Sequence, residues 1–152
     1  MTSPTARLRE LGITLPSVAT PAGSYIPAKR AGGLVFTAGQ VPFVDGALAA
    51  TGKVGAEITP DQAYDLARTC TLNALAAVDG LVGLDAVASV VKVVGFVASA
   101  PGFTGQPGVV NGASELLADV FGEAGRHARS AVGVAELPLG APVEVELVVE
   151  LA

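Results

Sequence analysis

The stretch Val143-Glu144-Val145-Glu146-Leu147-Val148-Val149-Glu150-Leu151 closes the chain with an alternation of period two. Val143, Val145, Leu147, Val149 and Leu151 share one face, and Glu144, Glu146, Val148 and Glu150 share the other. Such a pattern predicts a strand with one face in a core. Upstream, Arg129 to Glu136 reads as a second strand, joined to the last by Leu137-Pro138-Leu139-Gly140. Arg129 shares its face with Ala131, Gly133 and Ala135, so the guanidinium stands beside a cavity or a close partner. If these two strands pair as a hairpin, Arg129 and Glu144 or Glu146 line one cleft. The plain alternative is a cross-strand ion pair on a solvated face.

A sheet with an apolar face needs cover, and two segments offer it. Thr59-Pro60-Asp61-Gln62 has the form of a capping box with proline in the first turn. After it Ala63, Leu66, Ala67, Cys70, Ala74, Ala77, Val78 and Leu81 recur at helical spacing up to Gly83. A second helix is predicted from Asn111 to Phe121, ended by Gly122 and Gly125. Between them the Val-rich run 87–98 predicts a central strand, buried on both faces over part of its length. Tyr25 to Ala31 and Leu34 to Ala38, around Gly32-Gly33, predict a hairpin, with a further turn at Asp45-Gly46. Ser3 or Thr2 can cap a short N-terminal helix through Leu11. The order is β-β-α-β-α-β-β, an α+β fold: a mixed sheet with two helices on one face. One domain over 1–152 is expected, with 1–20 as an N-terminal extension.

Composition narrows the function. The 152 residues carry a net charge of −5, which argues against a nucleic-acid partner. A single His and a single Cys exclude a Cys/His zinc site, so no metal is expected. No apolar run reaches the ~20 residues of a spanning helix, and the first twelve residues lack a signal-peptide core. A soluble, cytoplasmic protein without membrane attachment is expected. An apolar content of 51% in so small a chain favours a subunit interface. No P-loop, GxSxG, HExxH or CxxC motif occurs. Cys70, on the apolar stripe, reads as a packed thiol, and His127 as a solvated turn residue.

Several stretches together resemble the RidA (YjgF/YER057c/UK114) family of imine and enamine deaminases, in a divergent branch. They are Gly23-Ser24-Tyr25, the run 36–42 (FTAGQVP), Val110-Asn111-Gly112-Ala113, the run 128–138 (ARSAVGVAELP) and Val143-Glu144-Val145-Glu146. The resemblance implies a homotrimer of chorismate-mutase-like subunits with a cleft between neighbours. It implies hydrolysis of 2-imino acids to 2-keto acids and ammonia, with no cofactor. Arg129 matches the carboxylate-binding arginine and Glu144 the glutamate that holds the attacking water. Tyr25, Gly39 and Asn111 match substrate-side positions. Two positions depart: Ala38 replaces a serine, removing a cleft hydroxyl, and Ala131 replaces a cysteine used through its backbone. Two other readings stay open: a non-catalytic trimeric binder of small carboxylates, and an endoribonuclease or translation inhibitor.

Overall fold

The computed structural model describes residues 2–152. In chain order the elements are α1 (Pro4–Glu10), β1 (Ala28–Ala31), β2 (Leu34–Thr37), β3 (Phe43–Val44), β4 (Ala47–Leu48) and α2 (Pro60–Val82). There follow β5 (Val87–Ala98), α3 (Gln106–Phe121), β6 (Ala128–Val134) and β7 (Val143–Leu151). Five strands form a mixed sheet in the order β1-β2-β7-β5-β6, and β3 pairs with β4 in a separate hairpin. Only the β5–β6 pair is parallel, joined by the α3 crossover.

Local chemistry explains the ends. Thr59 Oγ1 accepts from the Gln62 amide at 3.2 Å while Gln62 Oε1 accepts from the Thr59 amide at 2.9 Å. This reciprocal cap starts α2 where the sequence predicts it. Ser3 caps α1, accepting from the Ala6 amide at 3.2 Å. Helix α3 begins at Gln106, five residues before the predicted start. Pro107 sits in its first turn, where a missing N–H costs nothing, and Val109 and Val110 are buried. The first hairpin is shorter than predicted: Tyr25, Ile26 and Pro27 precede β1.

The last two strands do not pair. Strand β5 lies between them, antiparallel to β7 and parallel to β6. The expected C-terminal hairpin is therefore replaced by a crossover arrangement. Strand β5 is central, as its Val-rich run predicts. Its burial on both faces is limited to Val97 and Ala98, where the Val54 amide donates to the Ala98 carbonyl at 2.8 Å. Elsewhere α2 and α3 cover one face only. The other carries Phe36 and Val132, 45% and 42% exposed, with Val94, Phe96 and Val148 half-buried between them.

Helices α2 and α3 cross at Gly112. A Cβ there would collide with the Tyr64 carbonyl, which cannot rotate away. Gly112→Ala gains about 1 kcal/mol of helix propensity. Opening the crossing costs more, as overpacking typically costs about 1–3 kcal/mol. A lower urea midpoint with unchanged slope is the expected result, read by circular dichroism.

Candidate functional site

The first half of the site comes from an irregularity between β2 and β7. Phe36 opposes Val148, yet Gln40 opposes Val145, so the first strand carries one extra residue. Thr37 Oγ1 bridges the gap by accepting from the Leu147 amide at 3.0 Å. Gln40 resumes pairing, its amide donating to the Val145 carbonyl at 2.9 Å. The extra residue bulges at Ala38-Gly39 and sets Gly39 against Glu144. A Cβ on Gly39 would stand 2.7 Å from Glu144 Oε1, so only glycine leaves the carboxylate in place. The Ala38 amide donates to the Pro27 carbonyl at 2.8 Å, tying the bulge to the start of β1.

Gly39 and Glu144 open into a cleft of about 170 Å³, with Tyr25, Phe43, Pro138 and Leu139 among its walls. The Tyr25 hydroxyl accepts from the Ala22 amide at 3.2 Å, which closes the 22–25 turn and turns the ring toward this space. Asn73, 2% exposed in the middle of α2, donates to the carbonyls of Val41 and Phe43, each at 3.1 Å. It fixes the wall segment after the bulge. Sequence reasoning passed over Asn73; a lone amide within an apolar helix was the available signal.

Glu144 is half-buried, and burial followed by the negative charge of Glu146 raises its carboxyl above the usual carboxylate range. Among the described residues no side chain or backbone amide donates to it. Glu146 shares its sheet face but is absent from the cleft lining. Cys70 is fully buried, its thiol donating to the Val143 carbonyl at 3.5 Å. Burial, and then the Glu144 charge, raises its pKa well above the ordinary thiol value, which keeps it protonated.

The second half lies across the sheet. Arg129 pairs in register with Val93, whose side chain is in the core beneath the helices, whereas Glu144 pairs with Phe96 on the uncovered face. Arg129 and Glu144 therefore do not line one cleft within a single chain. Their expected meeting required the hairpin that β5 interrupts. Arg129 Nη1 donates to Asn111 Oδ1 at 2.8 Å and to Ser114 Oγ at 3.2 Å, and Nη2 donates to the Pro107 carbonyl at 3.3 Å. Nε has no acceptor among the described residues and Nη2 has one for its two protons, so these adjacent nitrogens keep donors that can bind a carboxylate as a fork. Ala131, two residues along β6, is half-buried against the core.

His127 is not a solvated turn residue. Its Nε2 lies 2.8 Å from Ser114 Oγ and its Nδ1 lies 2.6 Å from the Gly125 carbonyl. Among the described residues no group of three or more His, Cys, Asp or Glu is arranged to hold a metal ion. None of their helices is long and apolar enough to cross a membrane.

A mixed sheet with two helices on one face, a carboxylate in a cleft and an arginine at an edge strand define a chorismate-mutase-like α+β protein. Residues 5–151 match the family described as "YjgF/chorismate_mutase-like, putative endoribonuclease", and the chain belongs to this YjgF/RidA family. It is 47% identical over 148 residues to Protein TCP17 of Trypanosoma cruzi, covering 96% of this chain and 92% of that one. The crystal structure of Atu1372 from Agrobacterium tumefaciens superposes with a TM-score of 0.89 at 43% identity, over 99% of this chain and 94% of that one. A Shewanella oneidensis structure, described as a "putative endoribonuclease", gives 0.95 at 34% identity, over 99% and 100%.

Proposed function

We propose that the protein hydrolyses reactive enamines and 2-imino acids to 2-keto acids and ammonia. The observation that carries this reading is Glu144. Its carboxylate is half-buried, has no protein donor among the described residues, and faces space kept open by Gly39. That is the environment of a base that works through a bound water. Arg129 supplies the fork for the substrate carboxylate, and Tyr25 and Asn111 flank the two halves.

A protonated imine carbon is already electrophilic, so the step calls on no cofactor. Water held by Glu144 attacks that carbon, forming the C–O bond as Glu144 takes the water's proton. Glu144 passes that proton to the amine nitrogen and then takes the hydroxyl proton as the C=O bond forms and the C–N bond breaks. Ammonia leaves, carrying the proton away as ammonium, and the 2-keto acid remains. Arg129 holds the carboxylate throughout, so much of the acceleration comes from orientation.

On this reading the two halves meet between copies of the chain. The uncovered sheet face, with Phe36, Val94, Phe96, Val132 and Val148, is the surface on which three copies assemble. Light scattering is expected to return three times the 15.0 kDa chain mass. A stable lone chain at micromolar concentration overturns the shared site.

The direct test is ammonia release from 2-imino acids generated in place by an amino-acid oxidase, with spontaneous hydrolysis subtracted. Saturable acceleration is expected; Ala38 is absent from the cleft lining within one chain, so Ala38→Ser is expected to change the rate little. No acceleration with any imine, alongside retained 2-keto acid binding, moves the function to a carboxylate-binding module. An RNA-cleaving role draws no support from a chain whose net charge is −5.

The raised Glu144 carboxyl gives a pH signature. A base must be ionised, so activity falls as pH drops through the Glu144 pKa, above the usual carboxylate range. Glu146→Gln removes the neighbouring charge, lowers that pKa and moves the acid limb of kcat/KM to lower pH. Activity at neutral pH stays close to wild type. An unmoved limb would show that another group sets it.

A further inference from the structure

We infer that Ser114 and His127 are positioning residues that hold the Arg129 guanidinium in its carboxylate-receiving orientation. The inference rests on the reading of Arg129 given above for its functional meaning, though its geometry stands alone. The Gly125 carbonyl can only accept, so His127 Nδ1 carries the proton and donates at 2.6 Å. Nε2 of the neutral ring is then the acceptor, and the Ser114 hydroxyl donates to it at 2.8 Å. The oxygen lone pairs of Ser114 are thereby turned toward Arg129, whose Nη1 donates at 3.2 Å. One chain of hydrogen bonds runs from Arg129 through Ser114 and His127 to the backbone after α3.

The relay matters because of where the other ties lie. Asn111 Oδ1 also accepts from Nη1, at 2.8 Å, and Ser114 is three residues further along the same face of α3. Together they tie Nη1 to α3. The free donors on Nε and Nη2 are left as one rigid edge. Ser114 also lines a shallow cavity with His127, Arg126 and Arg129, so the relay borders space a ligand can reach. A Ser-His pair suggests a nucleophile, but Ser114 sits inside a helix with its oxygen already accepting from Arg129. Its geometry serves the arginine.

The test uses the full-length chain with 15N-labelled arginine. In the wild type the Arg129 Nη1 protons are expected as separate, slowly exchanging NMR signals. Ser114→Ala and His127→Phe should each merge them, while Ser114→Thr, which keeps the hydroxyl, should retain them. Unchanged Arg129 signals in both Ser114→Ala and His127→Phe overturn the proposal. Calorimetry with 2-oxobutanoate provides the second readout. Either variant should weaken binding about two- to tenfold, the value of one hydrogen bond. Neither should weaken it further in an Arg129→Lys background, because a positioning residue acts only through the group it positions. Equal weakening in both backgrounds overturns the proposal in favour of a general structural role. If the wild type binds no 2-oxo acid, the deaminase reading fails, and the NMR signals alone decide the positioning role.

Discussion

Arg129→Lys is expected to lower kcat/KM for 2-imino acids by about two orders of magnitude, while the fold survives. The cost follows from the fork. Lysine keeps the charge but presents a point donor, and it leaves Asn111 Oδ1, Ser114 Oγ and the Pro107 carbonyl to be satisfied by one ammonium or by water. Loss of a bidentate charge-assisted contact is worth about 2–4 kcal/mol in transition-state binding. The check is steady-state ammonia release, with circular dichroism to confirm folding. Wild-type turnover by the lysine variant would reduce Arg129 to a structural tie between β6 and α3.

Glu144→Gln is expected to slow kcat about 100-fold or more while 2-keto acid binding stays near wild type, since a general base typically supplies about 10²–10⁴. Glutamine fills the same space but cannot take a proton from water. Gly39→Ala should slow turnover as well, because the added Cβ would stand 2.7 Å from Glu144 Oε1 and displace the carboxylate. Equal losses in Glu144→Gln and Glu146→Gln would show that the base is misassigned. Mixing the Arg129→Lys and Glu144→Gln chains sharpens both predictions. If each site takes its arginine from one copy and its glutamate from the next, random co-assembly restores about one quarter of wild-type sites. No recovery would show that each chain holds a whole site of its own.

The faces of the elements were legible from the sequence because they follow local rules. Alternation in 143–151 separates Glu144 from Val145, and the Thr59–Gln62 box marks the start of α2 to the residue. Strand neighbours were not legible. Alternation tells which side chains share a face of one strand, but not which strand lies alongside. The parity of Arg129 with Ala131 and Gly133 was read correctly, yet its relation to Glu144 depended on β5 lying between β6 and β7. The hidden start of α3 has a similar cause: Gly105, Pro107 and Gly108 carry turn signals, while burial of Val109 and Val110 outweighs them. Within the proposed site, the resemblance named Glu144 and Gly39 as well as Arg129 and Asn111, but Ser114, His127 and Asn73 lie outside its motifs. Their spacing held usable hints. His127 stands two residues before Arg129, the same-face interval of a strand, and Ser114 three after Asn111, the same-face interval of a helix.

The extra residue at Ala38-Gly39 also decides where this chain can change its length. A pleated strand keeps a two-beat count, and the bulge stands outside it, taking up one residue without changing which later side chains face the core. Deleting Ala38 would let the first strand run on in step with its partner. Gln40 would still oppose Val145, so Val41 and Phe43 would keep their sides, but a regular ladder residue would replace the bulge that now sets Gly39 against Glu144. The tip of the β1–β2 hairpin, at Gly32-Gly33, keeps no such count for the cleft: it is solvent-exposed and at the far end of the strand. A residue inserted at the tip lengthens a loop, whereas a residue removed at the bulge erases the cleft.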